Sequence, residues 1–182
     1  PRGKGVMRLG LFGGTFDPIH QGHLILAESC REACELDSVW FVVAGEPPHK
    51  RAGRTLVHHR LEMARLAIAG NPSFAVSEVE ADRPGPHYSV ETLDRIRRER
   101  PDDELFFLIG ADSLVDLPNW REPARIRELA QLVVVNRPGF NPKALMGSPA
   151  PLLVDVPPIG IASSEIRRKL AADLGRGDAD GR

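Results

Sequence analysis

The sequence predicts an α/β protein built on a doubly wound, mostly parallel sheet. Three observations carry that prediction. Short runs rich in valine, isoleucine, leucine and phenylalanine recur along the chain, and amphipathic segments of helical period separate them. The glycines and chemistry-bearing side chains gather just after those runs, where such folds bind ligands. With 182 residues, 42% of them hydrophobic, the chain can bury one sizeable core, so residues 7–174 are read as a single domain. Residues 1–6 are polar and precede Met7, the expected natural start, and are set aside as a non-native extension. Residues 175–182, rich in glycine, arginine and aspartate, read as a disordered tail.

Taken in order, the first strand is read over Arg8 to Phe12, followed by a glycine turn and a helix over Gly22 to Glu35. Cys30 and Cys34 fall on one face of that helix with Leu26, Ala27 and Ala33, a stripe that reads as core. These are the two cysteines of the chain, too few for a disulfide framework, so reduced thiols and a cytoplasmic protein are expected. The second strand, Val39 to Ala44, leads into a proline-stiffened loop and a helix over Thr55 to Ala69. The third strand, Phe74 to Val79, precedes a helix over Ser89 to Glu99 with Val90, Leu93 and Ile96 on one face. Next come a strand over Glu104 to Ile109, a helix over Pro123 to Ala130 and a strand over Gln131 to Val135. Pro138 to Pro151 reads as a loop, Leu152 to Val156 as the last strand and Ser163 to Leu174 as the last helix.

Charge narrows the partners. The formal net charge of −1 gives no global attraction for nucleic acid, and no apolar stretch is long enough to span a bilayer. The basic residues are local instead: Lys50, Arg51, Arg54, His58, His59 and Arg60 cluster after the second strand, as expected if they meet a small polyanion.

The most informative run is Gly13-Gly14-Thr15-Phe16-Asp17-Pro18-Ile19-His20-Gln21-Gly22-His23. Glycines let backbone N–H groups approach a ligand closely, a helix N-terminus favours an anion, and two imidazoles add donors at the same place. Together they describe a phosphate-binding site. Further on, Glu46-Pro47-Pro48-His49-Lys50 presents a lysine on a stiff backbone, and Gly110-Ala111-Asp112 closes the fourth strand. Leu117-Pro118-Asn119-Trp120 places a tryptophan in a polar loop, where it either packs on the core or forms an aromatic platform.

The run resembles the HxGH motif of the nucleotidyltransferases, and its longer GGTFDPIHxGH form resembles the bacterial nicotinate mononucleotide adenylyltransferases. The likeness continues in order through PHK, GxD, LPxW and ISSTxIR, spanning Gly13 to Arg167. Ser89 stands for the threonine of SYT, Ala162 for the first serine of ISSTxIR and Ser164 for its threonine, and the closing RYLVPxxV segment is missing. The resemblance implies a Rossmann-like nucleotidyltransferase fold and transfer of the adenylyl group of ATP to nicotinate mononucleotide. It implies His20 and His23 as the catalytic pair, with Gly13, Gly14, Phe16, Gly110, Asp112, Ser163, Ser164 and Arg167 also at ATP. Thr15, His49 and Lys50 would hold the acceptor phosphate, and Trp120 would stack the pyridine ring. Tyr88, Ser89 and Val90 at a helix start would receive its carboxylate, where Arg121 adds a cation. Mg²⁺ would arrive with ATP rather than in a protein cage. The competing readings are pantetheine-phosphate adenylyltransferase or another HxGH enzyme, and a nucleotide sensor without turnover.

Overall fold

The computed structural model describes residues 5–45, 55–136 and 149–177, with the side chains of 174–177 left aside. Six strands form one parallel sheet: β1 (Arg8–Gly14), β2 (Ser38–Val43), β3 (Phe74–Ser77), β4 (Glu104–Gly110), β5 (Gln131–Asn136) and β6 (Leu152–Asp155). Their order is β3-β2-β1-β4-β5-β6, so the chain winds outward in opposite directions from the β1–β4 pair. Every described pairing is parallel, which sharpens the expected "mostly parallel" sheet.

Each central strand is apolar on both faces because both are covered. On β4, Leu105, Phe107 and Ile109 face one core while Phe106 and Leu108 face the other. The first core is closed by α3 (Ser89–Glu99) through Val90, Leu93 and Ile96, the helical stripe expected from the sequence. The second is closed by α1 (Gln21–Ala33) and α2 (Val57–Ile68) through Ala27, Cys30, Leu61, Ala64 and Ile68. Of the stripe expected on the first helix, Ala33 is exposed, because the helix ends there and Cys34 turns in as its C-cap. Both thiols are free and buried, and burial pushes Cys30 up to about 12, so neither is a nucleophile near neutral pH.

Beyond the elements expected from the sequence the chain forms α4 (Ala111–Asp116) and a 3₁₀ turn, Leu117–Asn119. That helix is one and a half turns long and its apolar positions are few, so its periodicity is lost in the sequence. The remaining helices are α5 (Pro123–Leu129) and α6 (Ser163–Gly177). The last of these runs into the segment read as a disordered tail, so order extends past residue 174. Most of the expected loop over Pro138 to Pro151 lies outside the described residues. No helix among the described residues is long and apolar enough to cross a membrane.

Candidate active site

Because the sheet winds outward from β1 and β4, the carboxyl ends of those strands form the crevice where an open α/β sheet binds ligands. The glycine-histidine run leaves β1 at that place. Phe16 adopts a left-handed φ of 47°, which a bulky residue takes only when its surroundings hold it. They do. Its ring is 2% exposed and meets the edge of His23 at 5.0 Å between centroids. The Phe16 side chain, expected at ATP, is therefore a support beneath His23. What Phe16 offers outward is its backbone: the Thr15 carbonyl accepts from Arg60 Nη1 at 2.8 Å, so the Phe16 N–H across the same planar peptide points the opposite way.

His20 is the N-cap of α1 and His23 sits at the third helical position. Their rings stack with centroids 3.8 Å apart. His23 Nδ1 accepts the His20 backbone N–H at 3.1 Å, which leaves the proton of the neutral ring on Nε2. Burial, with the neighbouring His20 second, lowers the His23 pKa to about 4, and burial lowers that of His20 as well. Both are thus neutral hydrogen-bond donors at physiological pH. Gly22 makes the pairing possible, since a Cβ there would lie 2.9 Å from the His20 ring.

The start of α6 is docked on the same turn. Ser163 Oγ donates to the Pro18 carbonyl at 2.9 Å and Arg167 Nη1 donates to the Asp17 carbonyl. The Ser163 hydroxyl, expected at the triphosphate, therefore serves the turn, while Ser164 and the rest of the Arg167 guanidinium lie exposed beside it.

Two cavities flank this turn. The larger, about 580 Å³, is lined by His20, Gly22 and His23 with the ends of β5 and β6 and Pro157 to Ile161. The smaller, about 310 Å³, is lined by Gly13 and Gly14 at the end of β1, Gly110 at the end of β4, Ser89 at the start of α3, and Trp120. The tryptophan meets the first of the alternatives left open by its sequence context, core packing, and the second stays compatible with its place. It packs against the core beside Phe107 and also borders the cavity, while its indole N–H is fixed on Asp116 at 3.0 Å.

The other expected contacts separate. Val90 is buried in the core, so only its backbone amide can face a ligand. Helix geometry leaves the amides of Ser89 and Val90 without intrahelical acceptors. Tyr88 and Arg121 do not line the cavity: the guanidinium lies 4.8 Å over the Tyr88 ring and pairs with Glu91 at 3.3 Å, so its charge is engaged outside. Asp112 is exposed in the first turn of α4. Arg60, counted in the basic cluster, is 2% exposed and holds backbone carbonyls, whereas His58 and His59 are exposed. His49 and Lys50, with Arg51 and Arg54, lie outside the described residues. No group of three or more His, Cys, Asp or Glu among the described residues could hold a metal ion.

A family model described as cytidylyltransferase-like matches residues 11–169, nearly the whole domain. A relative from Thermomicrobium roseum described as a "Probable nicotinate-nucleotide adenylyltransferase" is 53% identical, with 91% of this chain and 81% of that protein covered. A Thermus thermophilus protein of the same description is 51% identical over 90% of this chain and 87% of its own. The chain belongs to the nicotinate-nucleotide adenylyltransferases. Its fold agrees. The Plasmodium falciparum nicotinic acid mononucleotide adenylyltransferase complexed with NaAD superposes with a TM-score of 0.75 at 20% identity, covering 89% of this chain and 83% of that one. The adenylyltransferase fold thus brings the family's two histidines to one cavity and its tryptophan to another, on either side of one glycine turn.

Proposed function

We propose that the reaction takes place across the turn between the two cavities, with the ATP phosphates between the histidines and the glycines of β1, its nucleoside reaching Gly110 at the end of β4, and the mononucleotide on the Trp120 side. The protein transfers the adenylyl group of ATP to nicotinate mononucleotide, giving nicotinate adenine dinucleotide and pyrophosphate in NAD biosynthesis. The observation that carries the division of labour is the pair of separate cavities sharing one phosphate-binding turn.

The attacking phosphate oxygen is ionised near neutral pH, so no strong base is needed, and rate comes from alignment and charge stabilisation. The Nε2–H of His23 and the His20 ring donate to α- and β-phosphate oxygens, joined by the outward Phe16 N–H and the amides around Gly13 and Gly14. Gly110 lets the nucleoside approach, Asp112 accepts from its ribose, and Ser164 with the exposed part of Arg167 holds the triphosphate tail. A divalent cation such as Mg²⁺, held by the ATP phosphates rather than by a protein cage, would supply charge screening on the leaving pyrophosphate. On the acceptor side Thr15, His49 and Lys50 hold the phosphate, Trp120 stacks the pyridine, and the Ser89 and Val90 amides take its carboxylate. Cytoplasmic NAD synthesis fits the free, buried thiols.

Pyrophosphate and dinucleotide release from ATP with nicotinate mononucleotide, nicotinamide mononucleotide or phosphopantetheine as acceptor tests this reading. The acid mononucleotide should give the highest kcat/KM. Preference for phosphopantetheine, or ATP binding with no pyrophosphate from any acceptor, would overturn it.

A further inference from the structure

The wall of the smaller cavity holds an imidazole that the mechanism above does not use. His87 lies one residue before Tyr88, the N-cap of α3, and borders the cavity. Its Nδ1 and Nε2 are both shut away from solvent, and neither has a hydrogen-bond partner among the described residues. Buried polar groups left unpaired are unfavourable and rare, so a ring with two of them needs an explanation.

The surrounding backbone is shaped to this ring. A Cβ on Gly45 would lie 2.5 Å from His87 Nε2 and 2.6 Å from the Glu80 carbonyl oxygen, so a glycine is required where the ring rests. Its polar neighbours are engaged with one another. The Glu80 carboxylate accepts the Gly45 N–H on Oε2 at 3.3 Å and the Thr92 hydroxyl on Oε1 at 2.9 Å. That brace ties the end of β2 to α3, and among the described residues no acceptor is bonded to His87. The ring borders the cavity, so a ligand bound there can supply a partner.

The first free amides of α3 begin two residues further on, at Ser89. A planar group with two acceptor oxygens, bound over Trp120, can take those amides on one oxygen and an imidazole N–H on the other. We propose that His87 is a specificity-determining residue: turned from Gly45 into the cavity, its ring N–H donates to the second oxygen of the acceptor's pyridine carboxylate. This rests on the assignment of the smaller cavity to nicotinate mononucleotide. A carboxamide has one oxygen for the same two sets of donors, so it keeps the helix contact and loses this one.

Steady-state constants of His87→Ala with nicotinate mononucleotide, nicotinamide mononucleotide and ATP test the proposal. The KM for the acid should rise about tenfold or more, the KM for the amide by less than about threefold, and the KM for ATP not at all, so the acid-to-amide ratio of kcat/KM falls. His87→Gln, which keeps a side-chain N–H, should recover part of that ratio. Gly45→Ala, which keeps the imidazole but displaces it, should lower it. In thermal-shift measurements without an acceptor–ATP pair, the stabilisation of His87→Ala by nicotinate mononucleotide should shrink while that by ATP persists, a result loss of folding cannot produce. Equal losses on the two mononucleotides, or an unchanged ratio, overturn the proposal. Should the parent use neither mononucleotide, the assay of the parent alone overturns the acceptor assignment and this proposal with it.

Discussion

His23 has two tasks that the sequence pattern does not separate. Its Nδ1 closes the N-terminus of α1 by accepting the His20 N–H, and the same bond leaves the proton of the neutral ring on Nε2, in a ring that borders the larger cavity. Glutamine at the third helical position can make the capping contact, whereas alanine cannot. His23→Ala should therefore lose about 1 kcal/mol of stability and His23→Gln nearly none, while both lower kcat by about two to three orders of magnitude. Denaturant midpoints beside turnover numbers check this; equal destabilisation of the two variants would remove the capping role. The lowered pKa adds a pH signature. His23 binds its proton more readily in the unfolded chain, near pH 6.5, than in the fold, near pH 4. Its contribution to stability is thus complete above about pH 6.5 and lost as pH falls through that window. The parent should consequently weaken more between pH 7 and 4.5 than His23→Gln does.

At the scale of elements, the opening of α1 sets local preference against site geometry. Gly22 is the second residue of the helix, where alanine would favour helix formation by about 0.8–1 kcal/mol. The same methyl would press on His20 at 2.9 Å and touch Ile159 at 3.5 Å. Gly22→Ala should accordingly keep or raise the melting temperature and lower kcat at least about tenfold, because His20 is displaced from its stack on His23. A variant that melts no earlier and turns over normally would show that the ring yields without consequence. The docking of α6 on the Asp17 and Pro18 carbonyls belongs to the same scale. It lets a helix distant in sequence set the position of the motif turn.

Across the whole molecule, Arg60 is the tie that joins the site together. Its guanidinium is buried and donates to the Thr15 carbonyl of the motif turn, the Ala44 carbonyl after β2 and the Thr55 carbonyl before α2. One side chain thus joins the motif turn to the end of β2 and the start of α2. Replacing it leaves three buried carbonyls short of a charged donor. Arg60→Leu should cost about 3–5 kcal/mol of stability, and Arg60→Lys, which cannot span the same three acceptors, a smaller part of it. Urea midpoints of the three proteins measure the effect; a leucine variant as stable as the parent would refute the tie.

The sequence by itself determined the class of fold, since strand and helix periodicities are local and survive without neighbours. It also determined which chemical groups the motif brings together, because a glycine turn, a helix start and two histidines are adjacent in the chain. Helix α3 was legible to its ends for the same reason, while the short α4 was not. What only the tertiary structure decided concerns residues whose partners are far away in sequence. The Phe16 ring and the Arg60 guanidinium are buried supports, a part that an apolar ring or a guanidinium reveals only once its surroundings are known. Arg121 reads as a free cation beside a carboxylate, yet Glu91 and the Tyr88 ring engage it. The division of the site into two cavities, and the ring of His87 in one of them with no partner among the described residues, arise from packing between elements that no local pattern records.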